Sequence, residues 1–141
     1  MLKFGTIGSG WIADEYIHGA KDSGLWELTA VYSRTRERGE EYAKRHGASY
    51  VFTDVEEMAA SDVIDAVYIA SPNALHYQQS KILLEHGKHV ICEKPLCAQK
   101  EKVEELQQIA RDHGVVFLEA IMFLHLPQRK ILENALARIG T

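Results

Sequence analysis

The fold of this chain is decided by the stretch Leu2-Lys3-Phe4-Gly5-Thr6-Ile7-Gly8-Ser9-Gly10-Trp11-Ile12-Ala13. A short apolar run leads directly into two closely spaced glycines, and acidic residues follow as in the first turns of a helix. In such a strand, turn and helix, the first glycine permits a tight turn, the second lets a pyrophosphate approach the backbone, and the small third residue allows close packing. The helix N-terminus then faces the anion. The stretch therefore predicts a dinucleotide-binding turn made by Gly8, Ser9, Gly10, Trp11, Ile12 and Ala13.

The rest of the chain alternates short apolar segments with longer segments of helical period. Strands are predicted at residues 2–7, 27–33, 49–52, 66–70, 89–92 and 115–118. About six helices are predicted, among them residues 99–113 and 128–138, and Gly47, Gly87 and Gly114 each suit the left-handed position that ends a helix. Most of the strands are apolar throughout, as in strands covered on both faces. The pattern predicts a Rossmann α/β fold, a doubly wound parallel sheet in three α/β/α layers.

The composition narrows the class of protein. The 141 residues suffice for one ordinary domain, and 46% hydrophobic and 26% charged residues are typical of globular proteins. A net charge of -4, with acidic and basic residues interspersed, supplies no broad cationic surface, so we expect no nucleic-acid partner. The sequence shows neither a signal peptide nor an apolar stretch of about 20 residues, so we expect no membrane association. Cys92 and Cys97 are too few for a disulfide framework, which predicts reduced thiols and a cytoplasmic protein.

The end of the second predicted strand bears on the choice between NADP and NAD. An NAD-specific domain usually places an acidic residue here, for the ribose 2′-hydroxyl. This chain has Ser33 and Arg34 instead, with Arg38 one turn later. These side chains can hydrogen-bond a 2′-phosphate, because a guanidinium matches a phosphate bidentately. The sequence therefore favours NADP(H), and NAD(H) is the alternative if these arginines, like Arg36, are ordinary solvated charges.

Two further polar segments follow the fourth and fifth predicted strands, at the edge where open α/β sheets bind ligands. The first is Ser71-Pro72-Asn73 with His76, and the second is Glu93-Lys94-Pro95. A lysine fixed beside a proline can point its ammonium into the crevice and handle a proton. The alternatives are a surface lysine at Lys94 and a polar helix-start residue at His76. No set of residues in the sequence suggests a metal site. A methyltransferase is the main alternative function within this fold, and the two polar segments argue against it.

Four segments together resemble the glucose-fructose oxidoreductase, inositol dehydrogenase and MocA family over nearly the whole chain. The segments are Gly8-Ser9-Gly10-Trp11-Ile12-Ala13, Tyr32-Ser33-Arg34, Tyr68-Ile69-Ala70-Ser71-Pro72-Asn73 with His76, and Glu93-Lys94-Pro95-Leu96. The glutamate-lysine-proline segment, in this order behind the other motifs, is more specific than any one of them.

The resemblance implies NAD(P)-dependent hydride transfer at a carbon bearing a hydroxyl or carbonyl group, in sugars, polyols and related small molecules. It implies that Lys94 contacts the reacting oxygen and that Arg34 contributes to a preference for NADP. It also implies that Glu93 and Pro95 shape the nicotinamide site, and that the turn beside the cofactor is formed by Ser71, Pro72, Asn73 and His76.

The chain also departs from the family pattern. Leu124 stands where many members carry an arginine. Members continue for roughly another domain's length. The resemblance implies that this second, α+β domain supplies the catalytic histidine, most substrate contacts and usually a homo-oligomer interface. We therefore expect a cofactor domain at residues 1–120 and a connecting segment at residues 121–141, with a break near Pro127.

Two hypotheses of different classes follow. In the first, the chain is the cofactor-binding portion of a cytoplasmic NADP(H)-linked oxidoreductase and has little activity alone. In the second, it is a non-catalytic module that reports NADP(H) status to a partner. Lys94 beside Glu93 favours the enzyme.

Overall fold

The computed structural model describes residues 1–139, and Gly140 and Thr141 lie outside the described residues. The described part contains six strands: β1 Leu2–Ile7, β2 Trp26–Tyr32, β3 Tyr50–Phe52, β4 Ala66–Ile69, β5 His89–Cys92 and β6 Phe117–Glu119. Its α-helices are α1 Trp11–Ser23, α2 Arg36–His46, α3 Val55–Ala60, α4 Asn73–Glu85, α5 Lys100–His113 and α6 Pro127–Ile139. A 3₁₀ turn at Met122–His125 connects β6 to α6.

All strand pairs in the sheet are parallel, in the order β3-β2-β1-β4-β5-β6. The chain starts in the middle of the sheet, builds outward to β3, and then returns to the other side of β1. Because the order reverses between β1 and β4, the loops after these two strands diverge and leave a crevice at their carboxyl ends. The predicted doubly wound fold is confirmed, and the crevice lies where such folds bind ligands.

Two hydrophobic cores flank the sheet and give three layers. On one face, Phe4, Leu28 and Val31 of the sheet pack with buried residues of α1 and α2. On the other face, Ile69 and Val90 pack with α3, α4 and α5. Each central strand therefore contributes side chains to both cores, which explains why its sequence is apolar without alternation.

The predicted helix ends are confirmed, whereas the last strand is displaced. Gly47, Gly87 and Gly114 have φ angles of 83°, 71° and 66°, the left-handed conformation expected after a helix. The predicted last strand, residues 115–118, is observed at residues 117–119. The shift arises because the Val115 N–H donates to the Ala110 carbonyl, so this residue still closes the end of α5.

The segment after residue 120 presents much apolar surface. Phe123 and Leu124 in the 3₁₀ turn, and Ile131, Leu132 and Leu136 in α6, are all exposed. The predicted helix at residues 128–138 is confirmed as α6, which begins at Pro127. Among residues 1–139, no helix has both the length and the apolar character needed to cross a membrane.

Candidate cofactor site

The turn between β1 and α1 is built so that only glycine fits its first position. Gly8 has φ +115°, a conformation that L side chains rarely adopt. A Cβ at this position would lie 2.4 Å from the Ala70 carbonyl oxygen. The neighbouring backbone holds this approach, since the Ala70 N–H donates to the Ile7 carbonyl at 2.7 Å. The turn therefore packs tightly against the end of β4 at the mouth of the crevice.

The second glycine opens the surface in front of α1. Gly10 is the N-cap residue, no side chain caps the helix, and a Cβ built on Gly10 meets nothing within 4 Å. The Ala13 N–H already donates to the Gly10 carbonyl at 3.0 Å. The N–H groups of Trp11 and Ile12 precede it at the start of the helix, and together with the helix dipole they favour an anion. This open cradle fits the pyrophosphate of a dinucleotide. Ala13 is fully buried, so its methyl serves helix packing and is not part of this surface.

A cleft of about 680 Å³ at the carboxyl edge of the sheet brings together seven of the sequence-predicted residues. Six lie in the turns after β1, β2 and β4, and one lies in the first turn of α2; they are Gly8, Ser9, Ser33, Arg34, Arg38, Ser71 and Pro72. Further lining comes from Ile7, Tyr32, Thr35, Glu37, Ala70, Leu75 and Gln79. The cleft thus joins the glycine turn to the arginines after β2 and to the turn after β4.

The positive charges of the cleft are accessible. Arg34 and Arg38 are exposed, and within the described residues no carboxylate or carbonyl engages either guanidinium. The backbone of Ser33 is fixed, because its N–H donates to the Phe52 carbonyl at 3.0 Å. Glu37 also lines the cleft, and its carboxylate opposes an anion there. The two guanidiniums nevertheless outnumber it, so the rim favours a phosphate.

The other predicted residues lie outside the cleft. Trp11 is 73% exposed beside the glycine turn, and Asn73 is the exposed first residue of α4. Ile12 and Glu93 line a second, largely apolar groove of about 610 Å³ between α1 and the 3₁₀ turn. This groove runs along α1 from Ile12 to Ser23, whereas the cleft lies at the carboxyl edge of the sheet.

Tyr68 holds the carboxylate that precedes the predicted catalytic lysine. Its side chain is 2% exposed, and its hydroxyl donates to Glu93 Oε1 at 2.5 Å. The Lys94 backbone N–H donates to the other oxygen of Glu93 at 3.3 Å. Tyr16 stacks on the Tyr68 ring at 3.7 Å with an interplanar angle of 4°. Burial, followed by the hydrogen bond to Glu93, raises the pKa of Tyr68, so the hydroxyl stays a neutral donor.

Lys94 itself is exposed, and its ammonium contacts no side chain or carbonyl among residues 1–139. The Lys94–Pro95 peptide bond is cis. The next residue is anchored, because the Leu96 N–H donates to Glu119 Oε1 at 2.9 Å and the Leu96 side chain is buried. The backbone is thus fixed on both sides of Lys94, by Glu93 and by Glu119, while the Lys94 ammonium remains available to a bound molecule.

His76 is fully buried and lies between the two loops. Its Nδ1 lies 2.9 Å from the Pro95 carbonyl oxygen and its Nε2 2.8 Å from the Ser71 carbonyl oxygen. Both ring nitrogens are therefore occupied by backbone atoms. The sequence predicted that His76 belongs to the turn beside the cofactor. In the structure its ring lies behind the residues that line the cleft.

Three polar residues of the site were missed by sequence reasoning. Gln79 accepts a hydrogen bond from the Ser71 hydroxyl at 2.6 Å and lines the cleft. Tyr68 holds Glu93, and Glu119 holds the loop after Lys94. Only Tyr68 had a local signal, a hydroxyl within an otherwise apolar strand. The others could not be found, because their partners are distant in sequence.

We expect Tyr68→Phe to lower the free energy of unfolding by about 1 kcal/mol, since one buried hydrogen bond to a charged acceptor is lost while the ring remains. Urea denaturation measures this change. Tyr16→Phe is the matched control, because Tyr16 keeps its stacking contact and its hydroxyl makes no hydrogen bond among the described residues. Equal effects of the two substitutions would show that the Glu93 contact contributes nothing.

No group of three or more potential metal-ligating side chains converges anywhere in residues 1–139. The crevice offers a glycine cradle for a pyrophosphate and guanidiniums for a further phosphate. The exposed Lys94 follows the neighbouring strand β5. A parallel sheet with these features at its switch point defines a dinucleotide-binding Rossmann domain.

The particular family is shown by comparison with known proteins. Residues 2–120 match the model of the GFO_IDH_MocA oxidoreductase family with an NAD-binding Rossmann fold. The chain belongs to this family, and the resemblance inferred from the four motifs is confirmed.

Several relatives are similar over the whole chain. It is 48% identical over 141 residues to the scyllo-inositol 2-dehydrogenase (NADP(+)) IolU of Bacillus subtilis, and 39% identical over 142 residues to the 1,5-anhydro-D-fructose reductase of Ensifer adhaerens. The matches cover 100% and 99% of this chain but 43% of each relative.

A crystal structure of the 3-ketoreductase KijD10 from Actinomadura kijaniata, in complex with NADP and TDP-benzene, superposes with a TM-score of 0.90 at 32% identity. The superposition covers 97% of this chain and 42% of that one. The chain thus spans less than half the length of the relatives it matches.

Proposed function

We propose that this chain is the NADP(H)-binding portion of an oxidoreductase that transfers hydride to or from a hydroxyl- or carbonyl-bearing carbon of a sugar, polyol or related small molecule. The single observation that supports this most is the cleft that joins the Gly8 turn to Arg34 and Arg38. Similarity to an NADP(+)-dependent inositol dehydrogenase and to an NADP-bound 3-ketoreductase supports the same cofactor and substrate class.

In this proposal, the first turn of α1 and the Gly8–Gly10 backbone hold the pyrophosphate, and Gly8 keeps the turn against β4. Ser33 and Arg34 bind the ribose 2′-phosphate, and Arg38 adds a second positive charge. The turn after β4, which carries Ser71, Pro72 and Asn73, borders the same molecule. NAD(H) fits the cradle as well, but it leaves both guanidiniums without a phosphate.

The chemistry at the reacting end depends on the loop after β5. The bound nicotinamide supplies or accepts the hydride. Lys94 orients and polarises the substrate oxygen with its free ammonium, while Tyr68 and Glu93 fix the backbone from which the lysine extends. Glu93 and Pro95 shape the neighbouring surface. We assign the proton exchange to a histidine beyond this chain, as the family resemblance implies.

The proposed organisation is a cofactor domain at residues 1–120 and a connecting segment at residues 121–141. The exposed apolar side chains of the 3₁₀ turn and α6 support this division, because such surface is normally covered by protein. The length of the relatives supports a further domain, in which we place the substrate contacts and a homo-oligomer interface. We also propose a cytoplasmic location, supported by the low cysteine content.

The 2′-phosphate assignment is tested by Arg34→Ala. We expect the Kd for NADPH to rise about 10- to 100-fold, because a charge-assisted hydrogen bond contributes roughly 1.5–3 kcal/mol. The Kd for NADH should change less than about twofold, since NADH has no 2′-phosphate. Both constants are measured by fluorescence titration.

The matched control is Arg36→Ala, which removes the same charge from a residue that does not line the cleft. It should leave both affinities unchanged apart from a small general effect of net charge. If the two substitutions weaken NADPH binding equally, Arg34 makes no specific contact and the assignment is wrong.

A further inference from the structure

A polar network of Asp14, Lys21, Tyr42 and His46 joins α1, which begins at the glycine cradle, to α2, which carries Arg38. The Tyr42 hydroxyl donates to Asp14 Oδ1 at 2.8 Å. His46 Nε2 lies 3.0 Å from the same oxygen without forming a hydrogen bond, and the Lys21 ammonium donates to the His46 carbonyl at 2.7 Å. The four residues of the network do not line the cleft, so they act on the proposed cofactor site only through the helices.

The rotation of α2 about its axis decides which charge faces the cleft. Glu37 and Arg38 are consecutive residues in the first turn of α2, and both line the cleft. Consecutive helical residues lie about 100° apart around the axis, so rotation of the helix would bring the carboxylate toward the position of the guanidinium. Tyr42 follows Arg38 by one turn and lies on nearly the same side of the helix. A contact that fixes Tyr42 therefore also fixes the direction in which Arg38 leaves the helix.

The packing of α2 on the sheet constrains this rotation only weakly. The buried face of the helix consists of Gly39, Tyr42, Ala43 and His46. Gly39 and Ala43 have little or no side chain to interlock with the sheet, so they set the distance between helix and sheet rather than the rotation. The two large side chains of this face, Tyr42 and His46, both contact Asp14. Asp14 is therefore the neighbour that sets the rotation of α2.

The hydrogen bond between Tyr42 and Asp14 is well protected. Tyr42 is buried, and Asp14 is only partly exposed. Burial, followed by the hydrogen bond to Asp14, raises the pKa of Tyr42, so its hydroxyl remains a donor at neutral pH. A buried hydroxyl that loses its acceptor is costly, which holds the two side chains together. The first turn of α1 and the middle of α2 thus keep a fixed relation.

We propose that Asp14 and Tyr42 are positioning residues for NADP selectivity, because their hydrogen bond holds α2 in the rotation in which Arg38, and not Glu37, meets the 2′-phosphate. This inference rests on the proposed function, since it requires that the cleft binds NADP(H). A contact that only stabilised the fold would affect both dinucleotides equally. A contact that positions Arg38 affects NADPH selectively, since NADH has no 2′-phosphate.

The test compares the Kd values for NADPH and NADH, measured by fluorescence titration, in three variants. Tyr42→Phe keeps the buried ring and removes the hydroxyl. We expect its Kd for NADPH to rise about three- to tenfold and its Kd for NADH to change less than about twofold, as for a partial loss of one charge-assisted contact. Asp14→Ala should lose the same selectivity. Asp14→Asn removes the same charge but keeps an oxygen that accepts from Tyr42, so it should retain most of the selectivity.

The matched control is Tyr77→Phe. The Tyr77 hydroxyl also joins two helices by donating to a carboxylate, since it lies 2.6 Å from Glu105 Oε2 between α4 and α5. Tyr77 lies outside both cavities. Its substitution should therefore leave both Kd values unchanged.

The positioning role is refuted if Tyr42→Phe keeps the NADPH preference of the unsubstituted chain, or if Asp14→Asn loses this preference as fully as Asp14→Ala. Should Asp14→Ala not fold, Tyr42→Phe decides the question, because its ring still fills the core. If the unsubstituted chain itself shows no preference for NADPH, the proposed cofactor assignment fails and this inference fails with it. Loss of the preference in the variants alone distinguishes the two cases.

Discussion

Replacement of Gly8 by alanine is expected to abolish NADPH binding and to lower the free energy of unfolding by about 3 kcal/mol. A left-handed or otherwise restricted backbone conformation costs a side-chain-bearing residue roughly 1–3 kcal/mol. At this position the added Cβ would also lie 2.4 Å from the carbonyl oxygen of Ala70, the residue directly after the central strand β4. The backbone must therefore move, and the turn that holds the pyrophosphate moves with it.

The matched control is Gly10→Ala, two residues further along the same turn. Gly10 has φ -89°, which alanine adopts freely, and an added Cβ meets nothing within 4 Å. We expect a loss of stability below about 1 kcal/mol, typical of a change at a helix N-cap. NADPH binding should still weaken, since the methyl group enters the proposed pyrophosphate cradle. Urea denaturation and NADPH titration of both variants separate the two effects.

The outcome that contradicts this account is equal stability of the two variants. It would mean that the turn relaxes without cost and that the close approach to β4 has no structural importance. Normal NADPH binding by Gly10→Ala would show that the surface in front of Gly10 does not bind the pyrophosphate, even if Gly8→Ala behaves as expected.

Lys94→Ala is expected to have the second large effect, on turnover rather than on stability. The measurement uses the full-length enzyme, which we expect to be as long as the relatives and to contain this chain. Its kcat should fall about 10²- to 10⁴-fold, as is typical when a group that handles a proton or polarises an oxygen is removed. The Kd for NADPH should change little, because the ammonium contacts nothing within the described chain and does not line the main cleft. Steady-state kinetics and NADPH titration measure the two quantities.

The control for Lys94→Ala is Lys100→Ala at the start of α5. Lys100 forms an exposed ion pair with Glu104 and lies outside both cavities. Its removal should leave kcat unchanged, since exposed ion pairs contribute little. Unaltered kcat in Lys94→Ala would refute the catalytic role. If the parent protein bound NADPH but catalysed no reaction with sugars or polyols, the non-catalytic NADP(H)-reporting module would become the better description.

Local chemistry explains which parts of the fold could be predicted from sequence. The Gly8 turn, the glycine helix ends and the apolar strands each follow from residues adjacent in the chain, and all three were predicted. Gly39 shows the opposite case. A Cβ there would lie 2.5 Å from Val51 Cγ1 and 3.2 Å from Ser33 Cβ, so this glycine allows α2 to pack on the sheet. Nothing near Gly39 in the sequence signals that contact.

The site was predictable in composition but not in geometry. Sequence placed Ser33, Arg34 and Ser71 at the edge where the cleft lies, because strand ends in a parallel sheet share one edge. It could not show that His76 lies behind the lining residues, since this depends on where the Pro95 carbonyl lies after folding. The role of Tyr68 was hidden for the same reason, because Glu93 is 25 residues away.

Parallel fluorescence titrations with NADPH and NADH would show whether this chain binds NADP(H) in the cleft between the Gly8 turn and Arg34. We expect saturable binding of both dinucleotides, with NADPH bound at least tenfold more tightly, because only NADPH carries a 2′-phosphate that the guanidiniums of the cleft can bind. Tighter binding of NADH would overturn the role of Arg34 while leaving the dinucleotide site in place. Binding of neither would contradict the claim that the residues of this chain form a cofactor site on their own.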